Sequence, residues 1–340
     1  MANKNTGLNQ ANTNKKDEFY TQHIDIQNEL RHYKEFFEGK TVYCNCDDPY
    51  ESEFFKYFAL NFNKLKLKKL ISISYASSPV AGKEFGLFED QGVEYKITGK
   101  KAYKVVMVEL KDVTGEGGED IEDVKHLIRH RIRYLKGNGD FRSEESIELL
   151  KQADVVVTNP PFSMFREFVA QLIEYDKKFI IIGNQNAITY KEIFPLLQNN
   201  KMWLGYGFPG NVGFFKSPYQ DTAVANQHIE GMIRVSGVMW FTNIDTKKRH
   251  EEMLLFRHYT PEEYPKYDNF DAIEVSKTKN IPCDYYDIMG VPITYMQYYN
   301  PDQFDIVGNE YTFDIPKGRG YVNGKRMYSR IFIRRRKNED

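Results

Sequence analysis

Residues 159–162 read Asn159-Pro160-Pro161-Phe162 and directly follow the apolar run Asp154-Val155-Val156-Val157-Thr158, so the tetrapeptide stands where a buried strand ends and a loop begins. An exocyclic amine on a base is a poor nucleophile because its lone pair is delocalised into the ring. The side-chain oxygen of Asn159 and the carbonyl of Pro160 are two neighbouring acceptors, able to take both N–H hydrogens of such an amine and leave its lone pair facing an electrophile. Pro160 and Pro161 hold the turn open and rigid. Phe162 adds a flat face on which a base can stack, a contact worth about 1–3 kcal/mol. The bland reading is an ordinary turn, since Asn and Pro end strands in any protein. The β-branched run before it and the amphipathic run after it favour the chemical reading.

The elements that must position this loop follow from periodicity. Asp17 to Phe37 predicts a helix with Ile24, Leu30, Tyr33 and Phe37 as its apolar positions, and Thr41 to Cys44 a short strand. Glu51 to Leu65 predicts a helix whose Phe54, Phe55, Phe58 and Phe62 form a core stripe, followed by a strand over Lys69 to Ser74. Gly137 to Phe141 reads as a strand end, Ser143 to Gln152 as a helix and Ala153 to Thr158 as a strand. Met164 to Tyr175 reads as a helix burying Phe165, Phe168, Val169 and Leu172, and Phe179 to Gly183 as a further strand. Strands alternating with helices predict an α/β fold with a doubly wound, mostly parallel, Rossmann-like sheet. Residues 77–136 break the rhythm with Gly-rich turns and a Val-rich strand at Lys104 to Leu110, and read as an insertion. Beyond Leu204 the alternation gives way to short aromatic strands such as Val235 to Ile244 and Val291 to Tyr299. Residues 1–204 are therefore expected to form a catalytic domain, and residues 205–340 a mixed region that reads the target.

In such a sheet a ligand lies outside the carboxyl ends of the strands, so the loops after Cys44, Ser74, Phe141 and Thr158 face one crevice. Asn45-Cys46-Asp47-Asp48-Pro49 lacks the glycines that cradle a pyrophosphate, whereas its two carboxylates suit a cationic ligand. S-adenosyl-L-methionine carries a sulfonium and an ammonium, and Asp47 or Asp48 could pair with the latter. Asp140 beside Phe141 places an acceptor next to a ring, which suits an adenine's amino group and face. Each acidic pair could equally be a turn or a helix cap.

Composition bounds the rest. The 340 residues are 41% hydrophobic and 15% aromatic, as in a soluble globular protein, and no apolar run approaches the roughly 20 residues needed to span a bilayer. Met1 to Lys16 is polar and Asn-rich, without the apolar stretch of a signal peptide, so a cytoplasmic location and no membrane partner are expected. Cys44, Cys46 and Cys283 are too few for a disulfide framework and lack zinc-ligand spacing, so no metal is expected. A net charge of −1 does not advertise a polyanion binder. The charges are nonetheless segregated: Asp112 to Asp123 is acidic, whereas Lys125 to Lys136 and Arg319 to Lys337 are basic stretches that could meet a DNA backbone.

The chain resembles the EcoRI-type adenine-N6 DNA methyltransferases. The matching stretches are Asp17-Glu18-Phe19-Tyr20-Thr21, Val42 to Pro49, Gly139-Asp140-Phe141-Arg142-Ser143, Val156 to Ser163, Tyr175 to Phe179, Ile188 to Glu192, Pro265 to Asn269 and Met289 to Thr294. The resemblance implies methyl transfer from S-adenosyl-L-methionine to the N6 of an adenine flipped out of double-stranded DNA. It further implies that Tyr20 and Thr21 help close the cofactor site, that Asn45, Cys46, Asp47 and Asp48 surround the amino-acid end, and that Asp140 and Phe141 hold the adenine ring. Modification alongside a restriction endonuclease acting on the same site, or as an orphan methylase, is the implied setting. The sequence departs from the wider adenine-methylating pattern in having no acid within Ser72 to Ser78 for ribose hydroxyls. For the second wall of a base stack Trp240, Phe214 and Phe215 are candidates.

Three other readings compete. An Asn-Pro-Pro-Phe loop also suits planar amines of RNA bases or protein glutamine. A cytosine-C5 enzyme would need a thiolate such as Cys283. A DNA-binding relative without catalysis would have no use for an intact Asn159.

Overall fold

A computed structural model describes residues 20–76, 101–216, 232–313 and 319–337. Two compact units divide it, one reaching to Asn184 and taking in Gly207–Ile244, the other comprising Gln185–Tyr206 and the chain from Asp245 onward.

The first unit opens differently from the predicted long helix. Asp17 to Phe19 lie outside the described residues, and Tyr20–Thr21 form a strand, β1, antiparallel to Phe215 and Lys216. Helix α1 spans His23–Leu30 and tightens into a 3₁₀ turn over Arg31–Phe37. Leu30, Tyr33 and Phe37 are buried as the pattern requires, but Ile24 is 58% exposed and Ile26 is buried instead. The main sheet uses β2 (Thr41–Cys44), β3 (Lys69–Ile73), β4 (Tyr103–Met107), β5 (Arg133–Tyr134), β6 (Val155–Thr158) and β7 (Lys178–Asn184). β3, β2, β6 and β7 lie side by side and parallel. β4 and β5 add to the β3 side, and Val238–Thr242 to β7, all antiparallel. The fold is thus α/β with a parallel sheet at its centre. β2 and β6 are buried along their whole length, which is why Val42-Tyr43-Cys44 and Val155-Val156-Val157 read as continuous apolar runs rather than alternating ones.

The stretch expected as an insertion is partly sheet. Residues 77–100 lie outside the described residues, while β4 and β5 continue the ladder and α2 (Glu53–Leu60) packs near α3 (Ile121–Arg131). The three aspartates of the acidic run are satisfied by nearby backbone: Asp112 accepts from the amides of Gly115 and Gly117, Asp123 from Val113 and Thr114, and Asp120 caps α3. Ser52 caps α2, and Phe54, Phe55, Phe58 and the following Phe62 are core. α4 (Glu144–Gln152) follows Ser143, and α5 (Phe165–Glu174) buries Phe165, Phe168, Val169 and Leu172, the four residues its periodicity named.

Val235 to Ile244 is two strands rather than one, because Gly237 at φ +71° turns the chain between Ile233–Ser236 and Val238–Thr242. In the second unit, Ile273–Glu274, Met289–Pro292, Arg330–Arg335 and Phe304–Asn309 form a sheet in that order. The predicted strand Val291 to Tyr299 stops at Pro292 and continues as a 3₁₀ helix. Tyr267, Ala272, Val322 and Phe332 form a core there, and the Arg330–Glu274 ion pair is buried beside it. Among the described residues no helix is long and apolar enough to cross a membrane.

Candidate active site

The loops after β2 and β6 meet because these strands are neighbours, with Val42 opposite Val155 and Tyr43 opposite Val156. Asp47, leaving β2, accepts hydrogen bonds from Ser52 Oγ at 2.7 Å and from Thr158 Oγ1, the residue just before Asn159. Ser72 at the end of β3 donates to the Asp47 carbonyl. A single carboxylate therefore ties the acidic loop to the helix after it and to the Asn-Pro-Pro-Phe turn. Asp48 is held by Tyr103 OH, 2.7 Å from both its oxygens, and by the Tyr50 amide at 3.0 Å.

Both acids are buried, at 6% exposure each. Burial pushes the Asp47 carboxyl up to about 7 against the opposing hydrogen bonds from Thr158 and Ser52. Burial likewise pushes Asp48 up to about 6, with the Tyr103 hydrogen bond pulling the other way. Among the described residues no cation pairs with Asp47. Asn45, 2% exposed, keeps its side-chain oxygen buried without a hydrogen-bond partner among the described residues. An orphaned acceptor beside two buried acids fits a group that brings donors and positive charge. The ammonium end of S-adenosyl-L-methionine is such a group. Cys46 is half-buried in the same loop.

Asn159 is half-buried, and its Nδ2 donates to Thr21 Oγ1 at 3.3 Å. β1 thus reaches the turn, while the side chain of Tyr20 lies outside the described residues. Pro160 is buried, Pro161 half-buried, and Phe162 is 9% exposed, so little of its ring faces solvent. Asp140 is engaged by Arg142 through Nε at 2.8 Å and Nη2 at 2.7 Å, which holds its carboxyl below the ordinary range. Phe141 is buried edge-on to Phe168, its carbonyl bonded by Gln171. Gly139 brings this loop against the end of β3: at φ +79°, a Cβ there would lie 2.0 Å from the Ser74 carbonyl.

Two of the three stacking candidates are core. Trp240 lies on a strand buried on both faces and stacks on Phe208 at 5.6 Å, and Phe215 is fully buried against Phe208. Phe214, on the opposite face of its strand, is half-buried. Sequence reasoning missed Thr158, Ser72 and Tyr103 as the groups that hold the acids. Ser52 alone left a local signal, a Ser followed by Glu before an apolar run. It also missed that His258, Cys283 and Asp284 of the second unit bring possible metal ligands within 4.8 Å of one another.

A family model described as "Adenine-specific methyltransferase EcoRI" matches residues 7–336. The chain is 44% identical over 337 residues to Type II methyltransferase M.EcoRI of Escherichia coli, covering 97% of this chain and 96% of that one. It is 37% identical to Type II methyltransferase M.MgeORF184P of Mycoplasma genitalium, over 96% of this chain and 98% of the relative. Identity to Type II methyltransferase M.MpnI of Mycoplasma pneumoniae is 35%, over 97% and 98%. No solved structure matches the chain. With a match spanning nearly all of its length, the chain belongs to the EcoRI family of adenine-specific methyltransferases.

Proposed function

We propose that the chain methylates the N6 of an adenine extruded from double-stranded DNA at a specific sequence, with the turn after β6 as the chemical centre. The observation that carries this reading is the hydrogen bond from Thr158 Oγ1 to the Asp47 carboxylate, which couples the residue preceding Asn159 to the loop suited to a cationic cofactor. S-adenosyl-L-methionine supplies an electrophilic methyl group on a sulfonium. Asn45, Cys46, Asp47 and Asp48 surround its amino-acid end, Asp140 and Phe141 its adenine, and Thr21 with Tyr20 closes over it. Asn159 Oδ1 and the Pro160 carbonyl accept the two amino hydrogens of the target adenine, Pro161 fixes the turn, and Phe162 supports the base. Burial of Pro160 and Phe162 supports this role by excluding water from the amine.

The sheet is read as doubly wound and Rossmann-like, residues 1–204 as the catalytic part and residues 205–340 as the target-reading part. The relatives, all type II methyltransferases by name, support duplex DNA rather than RNA or protein as partner and a setting with a cognate endonuclease. A cytoplasmic location follows from that partner. Sequencing the DNA of cells that express the chain, with detection of modified bases, tests the reading. One recurring context carrying N6-methyladenine is expected, and unmodified adenines, or a modified cytosine, would refute it.

A further inference from the structure

The basic stretch Arg319 to Lys337 sorts into residues the fold consumes and residues it leaves over. Arg330 is buried on Glu274, Arg319 pairs with Glu310 at 3.5 Å, and Arg334 and Arg336 pair with Asp305. Arg335 and Lys337 lie over the Tyr286 ring at 5.2 and 5.8 Å. Lys325 and Arg326 remain. Both are exposed, and among the described residues neither side chain makes an ion pair, a hydrogen bond or a ring contact.

These two sit on a hairpin, Tyr321–Val322 with Lys325–Arg326, which forms a two-stranded sheet of its own. Its turn, Asn323-Gly324, has φ +49° and +73°, the pair of left-handed residues that matches the twist of a tight hairpin. A lone hairpin is marginal in water, but this one is clamped. The Asp268 carboxylate accepts the amides of Asn323 at 3.0 Å and Gly324 at 2.8 Å, and its own amide donates to the Tyr321 carbonyl at 2.7 Å. Asn269 takes the Tyr321 amide at 3.0 Å and donates to the Arg319 carbonyl at 2.9 Å. Val322 plugs the ribbon into the core with Tyr267 and Phe332. Side chains alternate along a strand and cross-strand partners share a face. Arg326, opposite Tyr321, therefore stands on the outward face, and Lys325, opposite Val322, shares the face of Val322 but is exposed beside the turn.

We propose that this hairpin is a DNA-reading ribbon, with Arg326 donating to base edges in the major groove and Lys325 holding a phosphate. It rests on the proposed action on duplex DNA. A major groove admits a two-stranded ribbon, and a planar guanidinium donates two parallel hydrogen bonds to guanine O6 and N7. A rigid ribbon holding two uncommitted cations, in a chain whose net charge is −1, concentrates positive charge where a polyanion can meet it.

The test uses the full chain with Arg326→Ala and Lys325→Ala, each checked for unchanged cofactor affinity. Methylation is read across a library of duplexes, and duplex affinity across a salt series. Arg326→Ala is expected to lower discrimination at one base pair by about 10- to 100-fold. Lys325→Ala is expected to weaken all duplexes alike and flatten the salt dependence by about one unit of slope. Wild-type site choice in the first variant together with wild-type salt slope in the second would overturn the proposal. Should the unaltered chain put no methyl on adenine, the action on DNA falls separately. The ribbon is then judged by duplex affinity alone, and equal binding by Lys325→Ala overturns it.

Discussion

Asp47 accepts from Ser52 and Thr158 with no cation paired to it among the described residues, and burial pushes its carboxyl up to about 7. A carboxyl raised by folding keeps its proton in the native state over a range where the unfolded chain has lost it. The native state is therefore favoured below the ordinary carboxylate range, and that advantage is lost as pH rises through about 7. The apo chain is expected to be less stable at about pH 8 than at about pH 5, by on the order of 1–3 kcal/mol. Urea titrations of the wild type and Asp47→Asn would measure it, and equal pH slopes would contradict the assignment. A cationic cofactor reverses the preference, so its binding near pH 6.5 should release a proton, read by calorimetry in buffers of different ionisation enthalpy. The Asn-Pro-Pro-Phe turn was legible because its four residues are adjacent. The Asp47–Thr158 bond spans 111 residues and leaves no local trace. Two aromatics proposed as a stacking wall proved to be core, since an aromatic residue in a strand looks the same in sequence whether one face or both are covered.

Elements were legible where burial imposes a period. α5 buries the four residues its pattern named, and β2 and β6 are buried throughout and mostly apolar because both faces are covered. The strand β1 was hidden, since two residues carry no period and its pairing with Phe215 and Lys216 is non-local. β4 reads in sequence as part of an insertion, because an antiparallel strand on the flank of a parallel sheet breaks the alternation with helices. The close approach of the Gly139 loop to β3 follows from one residue. Gly139→Ala forces a side chain onto the Ser74 carbonyl at a positive φ, and should destabilise the chain by about 2–3 kcal/mol or more. Thermal unfolding with and without cofactor would show it, with the cofactor-induced rise in Tm also reduced. An unchanged Tm would mean the loop does not need this approach.

At the scale of the whole molecule, a net charge of −1 conceals how the charges are used. The aspartates of the acidic run Asp112 to Asp123 are turned onto nearby backbone amides, and most of the last basic stretch is paired within the second unit. Among the described residues of that stretch Lys325 and Arg326 are left for a duplex, so the salt dependence it contributes to DNA binding should be moderate. Affinity is expected to fall roughly 10- to 100-fold between 50 and 200 mM salt, less than for proteins making six or more phosphate contacts. A steeper fall, followed by fluorescence anisotropy, would mean that cations outside this stretch also meet the DNA. The central claim is that Asn159 presents the target amine, and single-turnover transfer of labelled methyl to a methylatable duplex by Asn159→Ala tests it most directly. The account predicts a rate lower by at least about 10²–10³-fold with cofactor and duplex affinities within a few-fold of wild type. Transfer to adenine at the wild-type rate would contradict it.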